Sequence, residues 1–216
     1  MNLKYVTLGA LVIGAVVGGW LVFAPSLEEA EVAQMDQGPS FEQQFEDVLN
    51  TLLRKTAEKA GDYKMRRRVL AELVKPENLI TPEYIQENHE MVQELVPELR
   101  STMEEIMGAF SRADMAVKTL VRGQTPEQSS AVLKEWARLK ADQAGAYILF
   151  FETEDGILSA YEELMALYFD TQGRFALDAE TQEMVFEHPQ DELNIQAKRR
   201  ALQALLQEQA SILGKE

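Results

Sequence analysis

The sequence contains no cysteine and only two histidines, His89 and His188. Without cysteine there is no thiol nucleophile, no disulfide framework, no thiolate zinc site and no lipid attachment through a lipoprotein cysteine. With only two histidines, catalytic mechanisms that depend on imidazole are disfavoured. The composition therefore disfavours several common classes of enzyme and of metalloprotein.

The surroundings of both histidines also argue against a metal centre. A di-iron or di-manganese bundle needs a Glu-x-x-His pair on each of two helices, but Gln86 lies three residues before His89, and Val185 three residues before His188. The sequence has no glycine-rich phosphate loop and no nucleophile elbow. We therefore expect no metal, no cofactor and no enzymatic activity, and hydrolysis by a carboxylate pair is the least favoured function.

Positive charge is scarce. The chain has 21 Lys and Arg against 36 Asp and Glu, which gives a formal net charge of −15. Because residues 1–24 contain only Lys4 among charged side chains, the remainder is more acidic still. Nucleic-acid binding requires Lys and Arg to neutralise phosphates, so this balance predicts no nucleic-acid partner.

One long stretch without charge runs from Tyr5 to Ala24. About 20 apolar residues in a helix span the roughly 30 Å core of a bilayer, and Trp20 lies near one end, where aromatic rings favour the headgroups. The rival interpretation is a secretory signal cleaved after Ala24, although Pro25 is a poor residue to follow the cut. We predict a retained transmembrane anchor over residues 5–24, and either interpretation exports the rest of the chain.

The charges beside the anchor predict its orientation. Lys4 and the amino terminus precede it, whereas residues 25–45 contain five acidic residues and no Lys or Arg. Positively charged flanks stay in the cytoplasm. We therefore predict a cytoplasmic N-terminus (1–4), an anchor in the lipid of the inner (plasma) membrane, a flexible acidic spacer (25–39), and a periplasmic or other extracytoplasmic domain (40–216).

Small residues recur at every fourth position of the anchor, at Ala10, Gly14 and Gly18. Such a stripe lets a partner helix approach closely. Membrane helices are rich in glycine in any case, so simple composition explains the stripe equally well. The stripe is a candidate surface for packing between membrane helices.

The exported domain has the periodicity of a helical bundle. Apolar residues repeat every seven positions from Ile85 to Leu120, and a second series follows four positions later. This pattern predicts one long helix that is kinked rather than ended at Pro97.

Capping residues and glycines predict where the helices begin and end. Ser40, Thr81 and Thr125 resemble N-caps. Gly61 follows an apolar run and predicts the end of a first helix, with a second beginning near Asp62. The short connection before Thr125 predicts that the helices on either side of it are antiparallel.

The end of the chain departs from the helical pattern. Apolar residues around a polar turn in residues 174–187 predict a small β-hairpin that needs helices to pack on, and residues 189–213 predict a closing helix. Gly156 is expected to distort the helix over 126–172 only locally. The predicted fold class is mainly α, with a single transmembrane helix, an elongated antiparallel helical bundle and this hairpin.

Two charged clusters are the candidate interaction patches. They are the basic residues Arg66, Arg67 and Arg68 and the acidic residues Glu152, Glu154 and Asp155. The arginines could contact lipid headgroups or an acidic partner, and the acids could bind cations or act as an acid catalyst. Ion pairing for the arginines and a solvated strip for the acids are the favoured interpretations, because consecutive residues spread around a helix.

These observations favour a non-enzymatic scaffold or accessory subunit at the membrane. Its partner would be another membrane or envelope protein, or a second copy of this chain. The alternative hypothesis is an envelope sensor or chaperone-like domain, in which an apolar groove between helices receives a small ligand or an unfolded client.

Overall fold

The computed structural model describes residues 39–178, 181 and 183–213. The predicted anchor (5–24), its stripe of Ala10, Gly14 and Gly18, and the spacer up to residue 38 lie outside these residues. Among the residues that are described, no helix combines the length and the apolar character needed to cross a bilayer. The transmembrane anchor therefore stays a prediction.

The described residues fold mainly into α-helices, as predicted. Their elements are the helices α1 (Phe41–Leu73), α2 (Pro82–Leu120), α3 (Pro126–Asp170) and α4 (Pro189–Leu213), and the strands β1 (Phe175–Leu177) and β2 (Met184–Phe186). Short 3-10 turns, Pro76–Asn78 and Val121–Gly123, follow α1 and α2.

The predicted N-caps are confirmed at the first three helices. Ser40 Oγ accepts a hydrogen bond from the backbone N–H of Gln43 (3.3 Å), whose side chain in turn accepts from the Ser40 N–H (2.8 Å). Thr125 and Gln128 form the same reciprocal pair at the start of α3. Thr81 Oγ1 accepts from the backbone three residues on, at 3.3 Å. Each cap satisfies a backbone donor that the first helical turn leaves unpaired.

The prediction that a first helix ends at Gly61 is wrong. α1 continues through this residue, and a β-carbon placed there would have no neighbour within 4 Å. Glycine costs a helix about 1 kcal/mol relative to alanine. However, α1 buries Leu52 and Thr56 before the glycine, and it buries Tyr63 and Leu70 after it. Packing on both sides outweighs the local penalty, because tertiary contacts supply most of the stability of a protein helix.

The seven-residue pattern of α2 is confirmed as its buried face. The buried members of the two series are Ile85, Val92, Val96, Leu99, Met103, Ile106, Phe110, Ala113 and Val117. The helix continues through Pro97, as predicted. Proline removes one hydrogen bond, and the apolar series keeps its phase on both sides of that position.

α3 is also continuous, and Gly156 lies within it. A β-carbon at Gly156 would lie 3.7 Å from Leu205 Cδ2 of α4, which is ordinary van der Waals contact. The glycine therefore does not end the helix, as expected from the apolar spacing that resumes beyond it.

The β-hairpin is confirmed. β1 and β2 are antiparallel, with Phe175 opposite Phe186 and Leu177 opposite Met184. The Phe175 ring lies 5.5 Å from that of Phe186 and 6.0 Å from that of Tyr168 on α3. Strands this short are marginal alone, so the ring contact within the hairpin and the contact with Tyr168 of α3 stabilise it.

The chain divides into two compact units. Of the described residues, the first comprises those up to Gly61 together with Glu105–Gly145, and the second comprises Asp62–Glu104 together with those from Ala146 onward. Between residues 39 and 61 and between 105 and 145, nine Lys or Arg balance nine Asp or Glu. The acidic excess of the chain therefore belongs to the second unit and to the first 38 residues.

Candidate functional site

The three consecutive arginines of α1 do not form one patch. Arg66 pairs with Glu98 of α2, Arg67 pairs with Glu154 of α3, and Arg68 is exposed. Successive residues of an α-helix point about 100° apart because a turn takes 3.6 residues. The helix thus distributes the three guanidinium groups among different surroundings within the second unit.

The three acids of α3 are separated in the same way. Glu152 is exposed, Asp155 Oδ1 accepts a hydrogen bond from Arg100 Nε at 2.8 Å, and Glu154 is only 1% exposed. Arg67 of the basic cluster and Glu154 of the acidic cluster therefore form a buried ion pair. This pair and its neighbours are the candidate site of the second unit.

Glu154 accepts hydrogen bonds on both carboxylate oxygens. Its Oε1 accepts from the Tyr63 hydroxyl (2.7 Å) and from Arg67 Nε (2.5 Å). Its Oε2 accepts from the Gln209 side-chain amide of α4 (2.6 Å). The Arg67 guanidinium carbon lies 4.7 Å from the centre of the Tyr161 ring, a distance typical of a cation–π contact. The cluster joins α1, α3 and α4 through polar contacts.

Burial and charge define the protonation states in this cluster. Burial, and then the negative charge of Glu154, raise the pKa of Tyr63 far above its ordinary value. Burial alone would lower the pKa of Arg67, but Glu154 and Tyr161 together more than offset this, so the net direction is upward. Tyr63 is therefore a neutral donor and Arg67 a permanent cation. Three donors, one of them cationic, converge on the buried carboxylate of Glu154.

A second polar cluster lies around Arg100 of α2. Its Nε donates to Asp155, its Nη1 donates to Glu162 (3.0 Å), and its Nη2 donates to Ser159 Oγ (2.8 Å). The hydrogen bond to Asp155, ahead of other contributions, raises the pKa of Arg100. These contacts connect α2 to α3 at a partly exposed surface, where ion pairs contribute little to stability.

Sequence reasoning did not identify Tyr63, Arg100 or Gln209 as members of these clusters. Tyr63 is separated from Glu154 by 91 residues and Gln209 by 55. No spacing rule within one helix relates residues on different helices, so no local signal pointed to them. The predicted residues that meet are Arg67 and Glu154, while Arg66, Arg68 and Glu152 lie apart from that pair.

The first unit has its own polar cluster, at Asp114 of α2. Its Oδ1 accepts from Trp136 Nε1 and from Lys140 Nζ, both at 2.9 Å, and its Oδ2 lies 2.6 Å from Lys118 Nζ. Hydrogen bonds from Lys118, Trp136 and Lys140, in that order, lower the pKa of Asp114 far below its ordinary value. Trp136 is buried, so this carboxylate fixes the indole of α3 against α2.

The first unit also contains an open groove of about 270 Å³ between α1 and α2. Aliphatic side chains form its floor, namely Val48, Leu52, Ala109, Ala113 and Ala116. Polar and charged side chains form its rim, namely Asp47, Thr51, Lys55 and Arg112. All four rim residues are exposed. An apolar floor with a few polar groups is the usual composition of a small-molecule site.

Neither histidine is part of these clusters. His89 is stacked on Phe169 with ring centres 4.4 Å apart, and His188 is exposed beside the start of α4. Across residues 39–178 and 183–213, no group of three or more His, Cys, Asp or Glu side chains is arranged to hold a metal ion.

Comparison of the chain with models of protein families, with curated proteins and with solved structures finds no match.

Proposed function

We propose that the chain is a scaffold or accessory subunit, anchored in the inner membrane by residues 5–24, whose helical domain binds another envelope protein outside the cytoplasm. Exposed large apolar side chains in the second unit carry this proposal. Met65 of α1 is 71% exposed, Ile80 before α2 is 57% exposed, and Tyr84 in the first turn of α2 is 53% exposed.

Several of these exposed apolar side chains share a helix face with another one. Val69 is also exposed and lies four residues after Met65, so the two share one face of α1. Met91 is exposed seven residues after Tyr84 on α2, which again places two apolar residues on one face. Single exposed apolar residues are ordinary, whereas concentrations of them mark binding surfaces. Methionine and tyrosine are also enriched at protein interfaces.

The test compares matched substitutions in the full-length chain. Met65→Glu and Ser101→Glu each add one negative charge at an exposed helical position of the second unit. After cross-linking in intact cells and mild detergent extraction, we expect the wild type and Ser101→Glu to recover the same partner, and Met65→Glu to lose it. Recovery of one set of proteins from all three, or a wild-type chain that remains monomeric and alone, would contradict the scaffold.

The location is tested independently of the partner. Protease added to intact spheroplasts should digest the helical domain, because positively charged flanks keep only residues 1–4 inside. Protection of the domain until the membrane is lysed would show that the orientation is wrong.

The groove of the first unit favours a second candidate function, an envelope sensor or chaperone-like domain. Its volume of about 270 Å³ is close to the lower end of ordinary ligand sites, about 300 Å³. A ligand or an unfolded client that binds there should raise the melting temperature of the chain. Unchanged melting across a panel of small amphiphiles and an unfolded test protein would argue against this function.

A further inference from the structure

The groove between α1 and α2 arises from the small side chains of α2. Ala109, Ala113 and Ala116 form the α2 side of its floor, and each ends at a β-carbon. Leu52 and Val48 of α1 form the opposite side without closing the space. Ala109, Ala113 and Leu52 are buried, so the base of the groove is aliphatic and only slightly exposed.

The rim of the groove carries one net positive charge in a strongly acidic chain. Lys55 and Arg112 contribute two cations and Asp47 contributes one anion. Lys55 forms no ion pair with the residues that the structure describes. Arg112 reaches the carbonyl oxygen of Glu105 at 3.5 Å, and its charge also acts on the Glu105 carboxylate, which pairs with Lys59. The two cations belong to the two different helices that line the groove.

We propose that this groove binds a small amphipathic monoanion, a short aliphatic chain that ends in a carboxylate. The chain would cover the aliphatic floor, and the carboxylate would lie between Lys55 and Arg112. A monoanion matches a rim with one net positive charge better than a dianionic phosphate monoester, which Asp47 would repel. This inference rests on the second candidate function and names its ligand class.

The experiment titrates sodium octanoate into the full-length chain in lipid nanodiscs, measured by isothermal calorimetry with empty nanodiscs as the reference. The expected result is saturable binding of one octanoate per chain. Butyrate, which has the headgroup but little chain, should bind more weakly, and so should 1-octanol, which has the chain but no charge.

Matched variants assign the binding to the groove. Lys55→Gln and Arg112→Gln should each weaken octanoate binding by about threefold, as expected for the loss of one exposed charge. Arg54→Gln is the control, because Arg54 is an exposed neighbour of Lys55 and does not line the groove. Ala116→Leu should weaken binding by filling the floor. Circular dichroism and thermal unfolding verify that each variant is folded.

Three outcomes would overturn the inference: no saturable binding, equal binding of 1-octanol and octanoate, or equal weakening by Arg54→Gln and Lys55→Gln. The experiments distinguish a wrong ligand class from a wrong candidate function. If an unfolded test protein raises the melting temperature while octanoate does not bind, the sensor or chaperone function stands without this ligand. If neither acts, both are wrong, and the scaffold proposal is unaffected.

Discussion

Replacement of Arg67 by methionine tests whether the buried cluster stabilises the second unit. The Arg67 side chain is 16% exposed and the Glu154 side chain only 2%. Removing one partner of a buried ion pair leaves an uncompensated charge, which costs about 3–5 kcal/mol. Tyr63 and Gln209 still donate to the carboxylate after the substitution, so we expect the lower end, about 3 kcal/mol. Methionine keeps most of the apolar stem of arginine, which isolates the loss of charge from the loss of packing.

The assay is urea unfolding of residues 39–216, followed by far-ultraviolet circular dichroism. A loss of about 3 kcal/mol is a large fraction of the 5–15 kcal/mol that holds an ordinary domain together. Arg68→Met is the matched control, since Arg68 is the exposed neighbour of Arg67, and it should change the free energy of unfolding by less than about 0.5 kcal/mol.

A double variant separates the charge from the geometry. Glu154→Gln keeps the shape and leaves a carbonyl oxygen that accepts from Tyr63, but it removes the buried negative charge. Arg67→Met with Glu154→Gln should therefore be about 1 kcal/mol or more stable than Arg67→Met alone. A cost below about 1 kcal/mol for Arg67→Met, or a double variant that is less stable than Arg67→Met, would show that the buried ion pair does not stabilise the second unit.

Three further substitutions test local features. Gly61→Ala should raise the free energy of unfolding by about 0.5–1 kcal/mol, measured in urea, because the site is helical and open; a loss of stability would contradict the continuous helix. Gly173→Ala should instead lower it by about 1 kcal/mol, since φ is 77° there, and an unchanged urea midpoint would contradict that conformation. Asp114→Asn should lower the free energy of unfolding at neutral pH. It should also make that free energy less sensitive to acid than it is in the wild type. Hydrogen bonds from Lys118 and Trp136 lower the folded pKa of Asp114 below its ordinary value of 3.8. The stability that the ionised carboxylate contributes is therefore fully present above pH 3.8 and is lost as the pH falls towards the folded pKa. Urea midpoints with the same pH dependence in the wild type and Asp114→Asn would refute this.

Local patterns predicted most of the helical architecture. The N-caps at Ser40, Thr81 and Thr125 were predictable because the capping side chain and its backbone donor lie within three residues of each other. The buried face of α2 was predictable because a repeat of seven residues places side chains on one side of a helix. The hairpin was predictable from its short apolar runs around a polar turn.

The error at Gly61 shows the limit of such patterns. A glycine after an apolar run often marks a helix end. Within a helix, glycine is less favourable than alanine by about 1 kcal/mol. The burial of Leu52 and Thr56 on one side and of Tyr63 and Leu70 on the other is a property of the folded chain. A rule based on neighbouring residues does not include the stability that comes from this tertiary packing.

The candidate sites show the same division. Composition by itself determined the scarcity of imidazole, the absence of thiols and the acidic balance of this protein, because these depend only on which residues are present. Only the tertiary structure decided that Arg67 rather than Arg66 or Arg68 meets Glu154, and that Lys55 and Arg112 flank one groove. Side chains on different helices become neighbours through packing, and the distance along the chain carries no information about which of them will meet.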